Sequence, residues 1–352
     1  AGLSGAVDQA PTSATAALQE RPLPRLGLPS KGRMAEDTLQ LLKDCQMPVR
    51  KLNPRQYVAE IPQLPGLEVW FQRASDCVRK LTYGDLDMAI VGYDMFNEIS
   101  ADNPDLIVVH DALNFGQCHL ALGVPSDGRY AGVDSLEALK AMGWGPERPL
   151  RVVTGYPNLA ERFMRDRGIE HFEVLTADGA LEAAPKMGCA DIILDLVSTG
   201  TTLRENNLRE IVGGTVLDSQ GVLVASRRAL QQRPGMLEIV REMIERLEAH
   251  LTAEKFFTVI CNIRGDTEAQ VADTFIESGL GGLSGPTISP VFCSGARSAN
   301  LFAVTICVRK KALYSAIKEV RKLGGTDVLV SEVTYIFEDE PWRWTELLSK
   351  IH

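Results

Sequence analysis

The stretch with the most chemical promise is Asp195 to Leu203, DLVSTGTTL, where an apolar run ends in small hydroxyl residues and a glycine and a helix start follows. With few bulky side chains, backbone N–H groups there can converge on an anion. The hydroxyls of Ser198, Thr199, Thr201 and Thr202 add donors, Gly200 and Leu203 complete the turn, and a helix N-terminus contributes favourable partial charge. A phosphate suits such a loop. On composition alone the stretch also reads as an ordinary Ser/Thr-rich turn with a helix cap. Two carboxylates lie close in sequence, Asp195 within it and Glu182 on the helix before it. Carboxylates beside a phosphate loop can accept hydrogen bonds from the two adjacent hydroxyls of a ribose; each also reads as a surface or cap residue.

A second set of residues is cationic. In LGLPSKGRM, Lys31 and Arg33 follow a strand directly, with Pro29, Ser30 and Gly32 turning the chain into a helix. Arg73 follows the strand EVWFQ, and Asp94 closes AIVGYD. Cations at the carboxyl ends of strands in an α/β sheet stand where ligands bind, and pyrophosphate or triphosphate is the natural guest. Taken singly, each also reads as a surface charge. Tyr156 ends LRVVTGY just before a Pro157-initiated helix, where it could pack on a nucleobase or cap a lobe core. The chain contains no G-x-x-x-x-G-K-[ST], G-x-G-x-x-G or G-x-S-x-G, so a P-loop nucleotidase, a dinucleotide dehydrogenase and an α/β-hydrolase would each lack a defining motif.

Composition bounds the rest. At 352 residues, 45% hydrophobic and 24% charged, the chain can bury two or three cores. Its net charge of −9 argues against a nucleic-acid or membrane-surface binder, which needs dense Lys/Arg patches. Seven scattered cysteines without a C-x-x-C pair read as reduced thiols, and five histidines without H-x-x-x-H spacing leave no dedicated metal motif. No apolar run approaches the roughly 20 residues of a membrane span. The first 20 residues, rich in Ala, Ser, Thr and Gly, read as a flexible tail or the remnant of a targeting segment.

These residues need elements to hold them. From Arg25 to about Leu230, short apolar runs alternate with helical stretches, the mark of an α/β body. Strands are expected at 25–28, 67–71, 88–91, 106–109, 119–124, 150–154, 173–175, 191–197, 215–217 and 221–226, and helices at 32–45, 75–82, 135–141, 158–167 and 180–187. That is generous for one sheet, so two lobes are expected: residues 21–117 with 213–253, and 118–212, crossing near Phe115–Gln117 and returning near Gly213–Gly214. Helical periodicity over 234–253 supplies a connecting helix. Residues 254–352 form a further domain with the order βαββαβ, a ferredoxin-like split unit, ending in a C-terminal extension from 338.

The segments LPSKGRM, RKLTYGDLDMAIVGYD, RVVTGYPNLAERF and DGALEAAPKMGCADIILDLVSTGTTL, with the C-terminal module, together resemble ATP phosphoribosyltransferase in its long form, over about residues 25 to 337. The resemblance implies a two-lobed catalytic body like a periplasmic binding protein and a regulatory domain for histidine feedback. It also implies a homo-oligomer, dimer to hexamer, and transfer of phosphoribosyl from phosphoribosyl pyrophosphate to N1 of ATP with Mg²⁺ carried largely by substrate phosphates. AMP is a further candidate inhibitor. Asp195–Leu203 resembles the family's phosphoribosyl-pyrophosphate loop. Lys31, Arg33 and Arg73 resemble catalytic cleft residues, with Asp94, Tyr156 and Glu182 binding substrate. Asp266, Leu283 and Thr287 resemble histidine-contacting positions, although Asp266 also reads as a cap for a helix starting at Thr267. The tail and the segment GWGPERP (143–149) look like a plant form, which implies a plastid enzyme, the alternative being a cytoplasmic one. Competing readings are a solute-binding module with the same cleft and a catalytically silent regulatory subunit; the former is disfavoured by cations opposite a phosphate loop, the latter by a complete loop with Lys31 and Arg33.

Overall fold

A computed structural model describes residues 21–53, 55–100, 102–177, 179–292 and 300–351; the tail expected over 1–20 lies outside them. The chain divides into two compact units, one running to Glu242 and resuming at Trp342, the other spanning Met243–Pro341.

The first unit holds β1 (Arg25–Pro29), β2 (Val58–Glu60), β3 (Glu68–Gln72), β4 (Met88–Gly92), β5 (Leu106–His110), β6 (Cys118–Pro125), β7 (Leu150–Thr154), β8 (Phe172–Thr176), β9 (Ile192–Val197), β10 (Leu208–Ser219) and β11 (Gly221–Ser226). They form two sheets, β2-β3-β1-β4-β11-β5 and β10-β6-β9-β7-β8, one per lobe. In the first, β1 runs parallel to both β3 and β4. Buried strands of this kind need apolar residues on both faces, and all five residues of β4, MAIVG, are buried. Helix Ala74–Tyr83 packs Cys77, Val78 and Leu81 against Ala89, Val91, Val222 and Val224, and Gly84 ends it in the left-handed conformation at φ 80°. In the second lobe, residues alternate between two cores. Ile192 and Leu194 pack with Leu159, Phe163 and Met164 of helix Pro157–Asp166, whereas Ile193 and Val197 pack with Leu181, Ala184 and Leu203.

Two boundaries differ from expectation. The return to the first lobe falls at Gln220, not at Gly213–Gly214, because β10 stays paired with β6 as far as Ser219 opposite Cys118. The two glycines occupy a bulge between the Glu210↔Gly123 and Thr215↔Ala121 pairs, with Gly213 at φ 77°, so they kink the strand and leave it intact. The second difference is the C-terminal extension, assigned above with residues 254–341. Helix Trp342–Ile351 belongs to the first unit, where Trp344, Leu347 and Ile351 are buried. Arg343 Nε and Nη2 donate to Asp111 Oδ1 at 3.0 and 2.6 Å, Gln231 Nε2 donates to the Ile351 carbonyl at 2.5 Å, and Arg227 donates to that of Lys350. Strand β2 and the helices Tyr93–Ser100 and Arg227–Gln232 had no counterpart among the expected elements.

The second unit contains β12 (Phe256–Arg264), helix Glu268–Glu277, β13 (Thr287–Pro290), β14 (Leu301–Arg309), helix Leu313–Lys322 and β15 (Thr326–Glu332). The sheet order is β13-β14-β12-β15 with every neighbouring pair antiparallel, the βαββαβ arrangement. Val259, Cys261 and Ile263 alternate along β12 and meet Val304, Ile306, Phe275 and Val320 in its core. The residue pattern predicts strands over 287–293 and 327–337 in this domain; β15 ends at Glu332, short of 337, and Cys293 lies outside the described residues. Helix Met236–Ala253 runs across the boundary between the units. No helix among the described residues is long and apolar enough to cross a membrane.

Candidate functional site

The candidate residues follow the carboxyl ends of parallel strands in both sheets. On the first lobe, β1, flanked by β3 and β4, is the point where the strand order reverses, the place such sheets bind ligands. Lys31 and Arg33 follow β1, Arg73 follows β3 and Asp94 follows β4. On the second lobe, β7, β8 and β9 are parallel and lead into Tyr156, Ala177 and Ser198. The two edges meet where Tyr156 Oη donates to Asp94 Oδ2 at 2.7 Å.

In the loop, Gly200 adopts φ 68° and precedes helix Thr201–Glu205. Thr199 Oγ1 and Thr201 Oγ1 lie 3.0 Å apart, and Arg204 Nη2 donates to Thr201 Oγ1 at 3.2 Å. Ser198, Thr199, Thr201 and Thr202 are exposed, so their hydroxyls face solvent with a guanidinium beside them. Leu203 differs: its side chain is buried in the lobe core, so it anchors the loop and leaves only backbone for a ligand. Burial pushes the Asp195 carboxyl above its ordinary value, and the nearby negative charge of Glu182 pushes the same way, while the Leu196 N–H, donating at 2.8 Å, opposes both. The two carboxylates named from sequence are therefore electrostatic neighbours.

Lys31, Arg33 and Arg73 are exposed, and none of them is engaged in an ion pair among the described residues. Asp94 and Tyr156 are not open in this way. They are 7% and 8% exposed, and the tyrosine ring lies in the second lobe's core with its hydroxyl on Asp94, which makes it a core cap in this state, not a free stacking platform. Burial, then the Asp94 charge, drives the Tyr156 pKa far upward, so the hydroxyl remains a proton donor. Sequence reading missed Ser219, whose hydroxyl donates to Asp94 Oδ1 at 2.6 Å, and Glu98, which binds the backbone of the second lobe. It also missed His119, whose Nε2 lies 2.5 Å from Glu210 Oε2 beside the loop. The one local signal for Ser219 is its place at a strand end.

In the second unit, Thr267 caps helix Glu268–Glu277, its hydroxyl accepting from Gln270 N–H at 3.2 Å. This corrects the expectation that Asp266 caps a helix starting at Thr267. Asp266 donates its N–H to Gln270 Oε1 at 2.9 Å and keeps an exposed side chain. Leu283 lines a cavity of about 590 Å³ with Phe256, Cys307 and Arg309. Asp266 follows the opposite end of β12 from Phe256, and Thr287 starts β13 opposite Thr305, so the three residues do not share that cavity. Among the described residues, no group of three or more His, Cys, Asp or Glu could hold a metal ion by itself.

A two-lobed α/β body with a hydroxyl-rich loop on one lobe and exposed cations on the other has the chemistry of a protein for phosphorylated ligands. The ATP phosphoribosyltransferase family model matches residues 73–249, and that of the HisG C-terminal domain matches 253–335. The chain is 59% identical over 331 residues to ATP phosphoribosyltransferase 2, chloroplastic, of Arabidopsis thaliana, covering 93% of this chain and 80% of that protein. It is 56% identical over 340 residues to ATP phosphoribosyltransferase 1, chloroplastic, of the same plant, covering 96% and 83%. A solved ATP phosphoribosyl transferase (HisG:HisZ) complex from Thermotoga maritima shares the fold, with TM-score 0.51 and 23% identity over 64% of this chain and 99% of that one. The chain belongs to the ATP phosphoribosyltransferase family, pentosyltransferases of histidine biosynthesis that typically require a divalent metal.

Proposed function

We propose that this chain, working in the plastid, joins N1 of ATP's adenine to C1 of phosphoribosyl pyrophosphate. The N1–C1 bond forms as the C1–O bond breaks, and the electron pair leaves with pyrophosphate. The observation that supports this reading is that a hydroxyl-rich loop at 198–203 and three exposed cations without ion pairs each follow the carboxyl ends of strands, on the two lobes that Tyr156 and Asp94 bring into contact. The loop receives the 5′-phosphate, Asp195 and Glu182 receive the ribose hydroxyls, and Lys31, Arg33 and Arg73 neutralise the departing pyrophosphate. Displacement at an anomeric carbon passes through an oxocarbenium-like state, for which positioning and electrostatics supply the acceleration. Mg²⁺ would be held largely by the substrate phosphates, whose charge it would neutralise, with the neighbouring carboxylates Asp195 and Glu182 left to the ribose hydroxyls.

The second unit is read as a histidine-sensing domain with Asp266, Leu283 and Thr287 as contacts, in a homo-oligomer of dimers to hexamers, with AMP as a further inhibitor. The test of the activity is direct: with ATP, phosphoribosyl pyrophosphate and Mg²⁺, the protein should release one pyrophosphate per ATP adduct detected by mass spectrometry. Folded protein that forms no adduct rejects the assignment. Asp195→Asn with Thr199→Ala should raise KM for phosphoribosyl pyrophosphate at least tenfold more than KM for ATP; equal losses would remove the loop from its role.

A further inference from the structure

Helix Tyr93–Ser100 of the first lobe carries two buried carboxylates one turn apart, Asp94 and Glu98, each 7% exposed, and both reach into the second lobe. Asp94 receives the Tyr156 hydroxyl at 2.7 Å. Glu98 Oε1 and Oε2 accept the N–H groups of Asn158 and Leu159 at 3.0 and 2.9 Å, and Asn158 Nδ2 donates to the Glu98 carbonyl at 2.9 Å. Helix Pro157–Asp166 has no side-chain cap of its own, and its free N–H groups are satisfied by a carboxylate from the other lobe. One helix face thus binds residues 156, 158 and 159 at the start of the opposing helix.

Asp94 is held from two further sides. Ser219 Oγ donates to Asp94 Oδ1 at 2.6 Å and accepts the Asp94 N–H at 2.9 Å. Ser219 is the last residue of β10, where the chain recrosses to the first lobe, so the same carboxylate is fastened to the crossover and to the cleft. A Cβ on Gly92 would come within 2.3 Å of Asp94 Oδ1, so glycine there leaves the room that this carboxylate orientation occupies. Neither carboxylate forms an ion pair among the described residues; hydroxyls and amides are their partners. The charge of Arg162 acts on Glu98, but a carboxylate removed from water with no ion-pair partner in contact still depends on each of those donors.

We propose that Ser219 and Glu98 are positioning residues for the phosphoribosyl transfer. Ser219 aims Asp94 at Tyr156, Glu98 caps the facing helix, and together they fix how the lobe bearing loop 198–203 stands against the lobe bearing Lys31, Arg33 and Arg73. The inference rests on the transferase reading above for its catalytic consequence, since transfer between two bound substrates tolerates little displacement of one from the other.

The test combines kinetics with hydrogen exchange. Ser219→Ala and Gly92→Ala, which disturb Asp94 from different sides, should each lower kcat/KM at least tenfold, while Ser219→Thr, which keeps the hydroxyl, should remain within threefold of wild type. In a Tyr156→Phe background, Ser219→Ala should add less than a twofold further loss, because the interaction it serves is already gone. Glu98→Gln should speed amide exchange of Asn158 and Leu159 at least tenfold. Independent, multiplying losses for Ser219→Ala and Tyr156→Phe would overturn the positioning role, as would Ser219→Ala activity within twofold of wild type. Unchanged exchange in Glu98→Gln would remove Glu98 from it. An inactive wild type whose exchange still accelerates in Glu98→Gln would reject the transferase reading and leave the interlobe cap standing.

Discussion

Replacing Asp87 by Asn should cripple the stability of the first unit while leaving its substrate affinities intact. Asp87 precedes β4, and its side chain is 1% exposed between two guanidiniums, those of Arg21 and Arg233, whose side chains are 9% and 2% exposed. Its carboxylate accepts from Arg233 Nε at 3.0 Å, Arg21 Nη2 and Nη1 at 3.1 and 3.2 Å, and the Arg25 N–H at 2.8 Å. Burial already lowers the Arg21 pKa, and the Asp87 charge is what opposes it. Asparagine fills the same space but removes the charge of the carboxylate bonded to both buried cations, and breaking a buried pair in this way costs about 3–5 kcal/mol. For a unit of this size that corresponds to a fall in Tm on the order of 10 °C, measurable by calorimetry and by urea titration. The cluster lies at the amino ends of β1 and β4, and the site at their carboxyl ends, so KM for both substrates should stay within twofold. A loss below about 1 kcal/mol would mean that the cluster is hydrated and does not behave as a buried network. A tenfold rise in either KM would refute the separation of stability from binding.

Two further perturbations test other parts of the molecule. Burial disfavours the charged form of Asp191, but hydrogen bonds from Arg151 and Tyr130 outweigh it and hold the carboxyl below its ordinary value of 3.8. A depressed carboxylate pKa contributes stability above the ordinary value that is lost as pH falls through the folded one. Asp191→Asn should therefore cost about 1.5–3 kcal/mol at pH 7, a deficit that narrows towards pH 3 in acid-denaturation curves; a deficit independent of pH would contradict the assignment. Asp266→Ala should relieve histidine inhibition at least tenfold with uninhibited turnover nearly unchanged, measured by pyrophosphate release; unchanged inhibition would remove Asp266 from the sensing site.

What could be read without coordinates follows from how local each signal is. Runs such as MAIVG and IILDLV announce buried strands by composition alone, and STGTTL announces an anion loop because its small hydroxyl residues are contiguous. Ser219 could not be singled out: a serine at a strand end is commonplace, and its partner Asp94 is 125 residues away. Glu98 was hidden for the same reason, its acceptors serving a helix that begins with Pro157 on the other lobe. Gly213 and Gly214 misled because paired glycines mark both chain reversals and bulges, and only the resumed pairing at Thr215 distinguishes them. In the C-terminal helix, Trp344, Leu347 and Ile351 recur at helical spacing, yet periodicity says that a face is buried and not which unit buries it.

The return of that helix gives the second unit the topology of an insertion. The chain departs within helix Met236–Ala253 and rejoins its starting body at Trp342, so residues 243–341 are a closed excursion tethered at both ends. Removing them by truncation at Glu242 would also strip the parent body of Trp344, Leu347 and Ile351 and uncover the residues they bury. A faithful excision must instead splice residue 242 to residue 342 through a linker. A single proteolytic nick inside the excursion should leave two fragments that remain associated, each still holding part of one folded body.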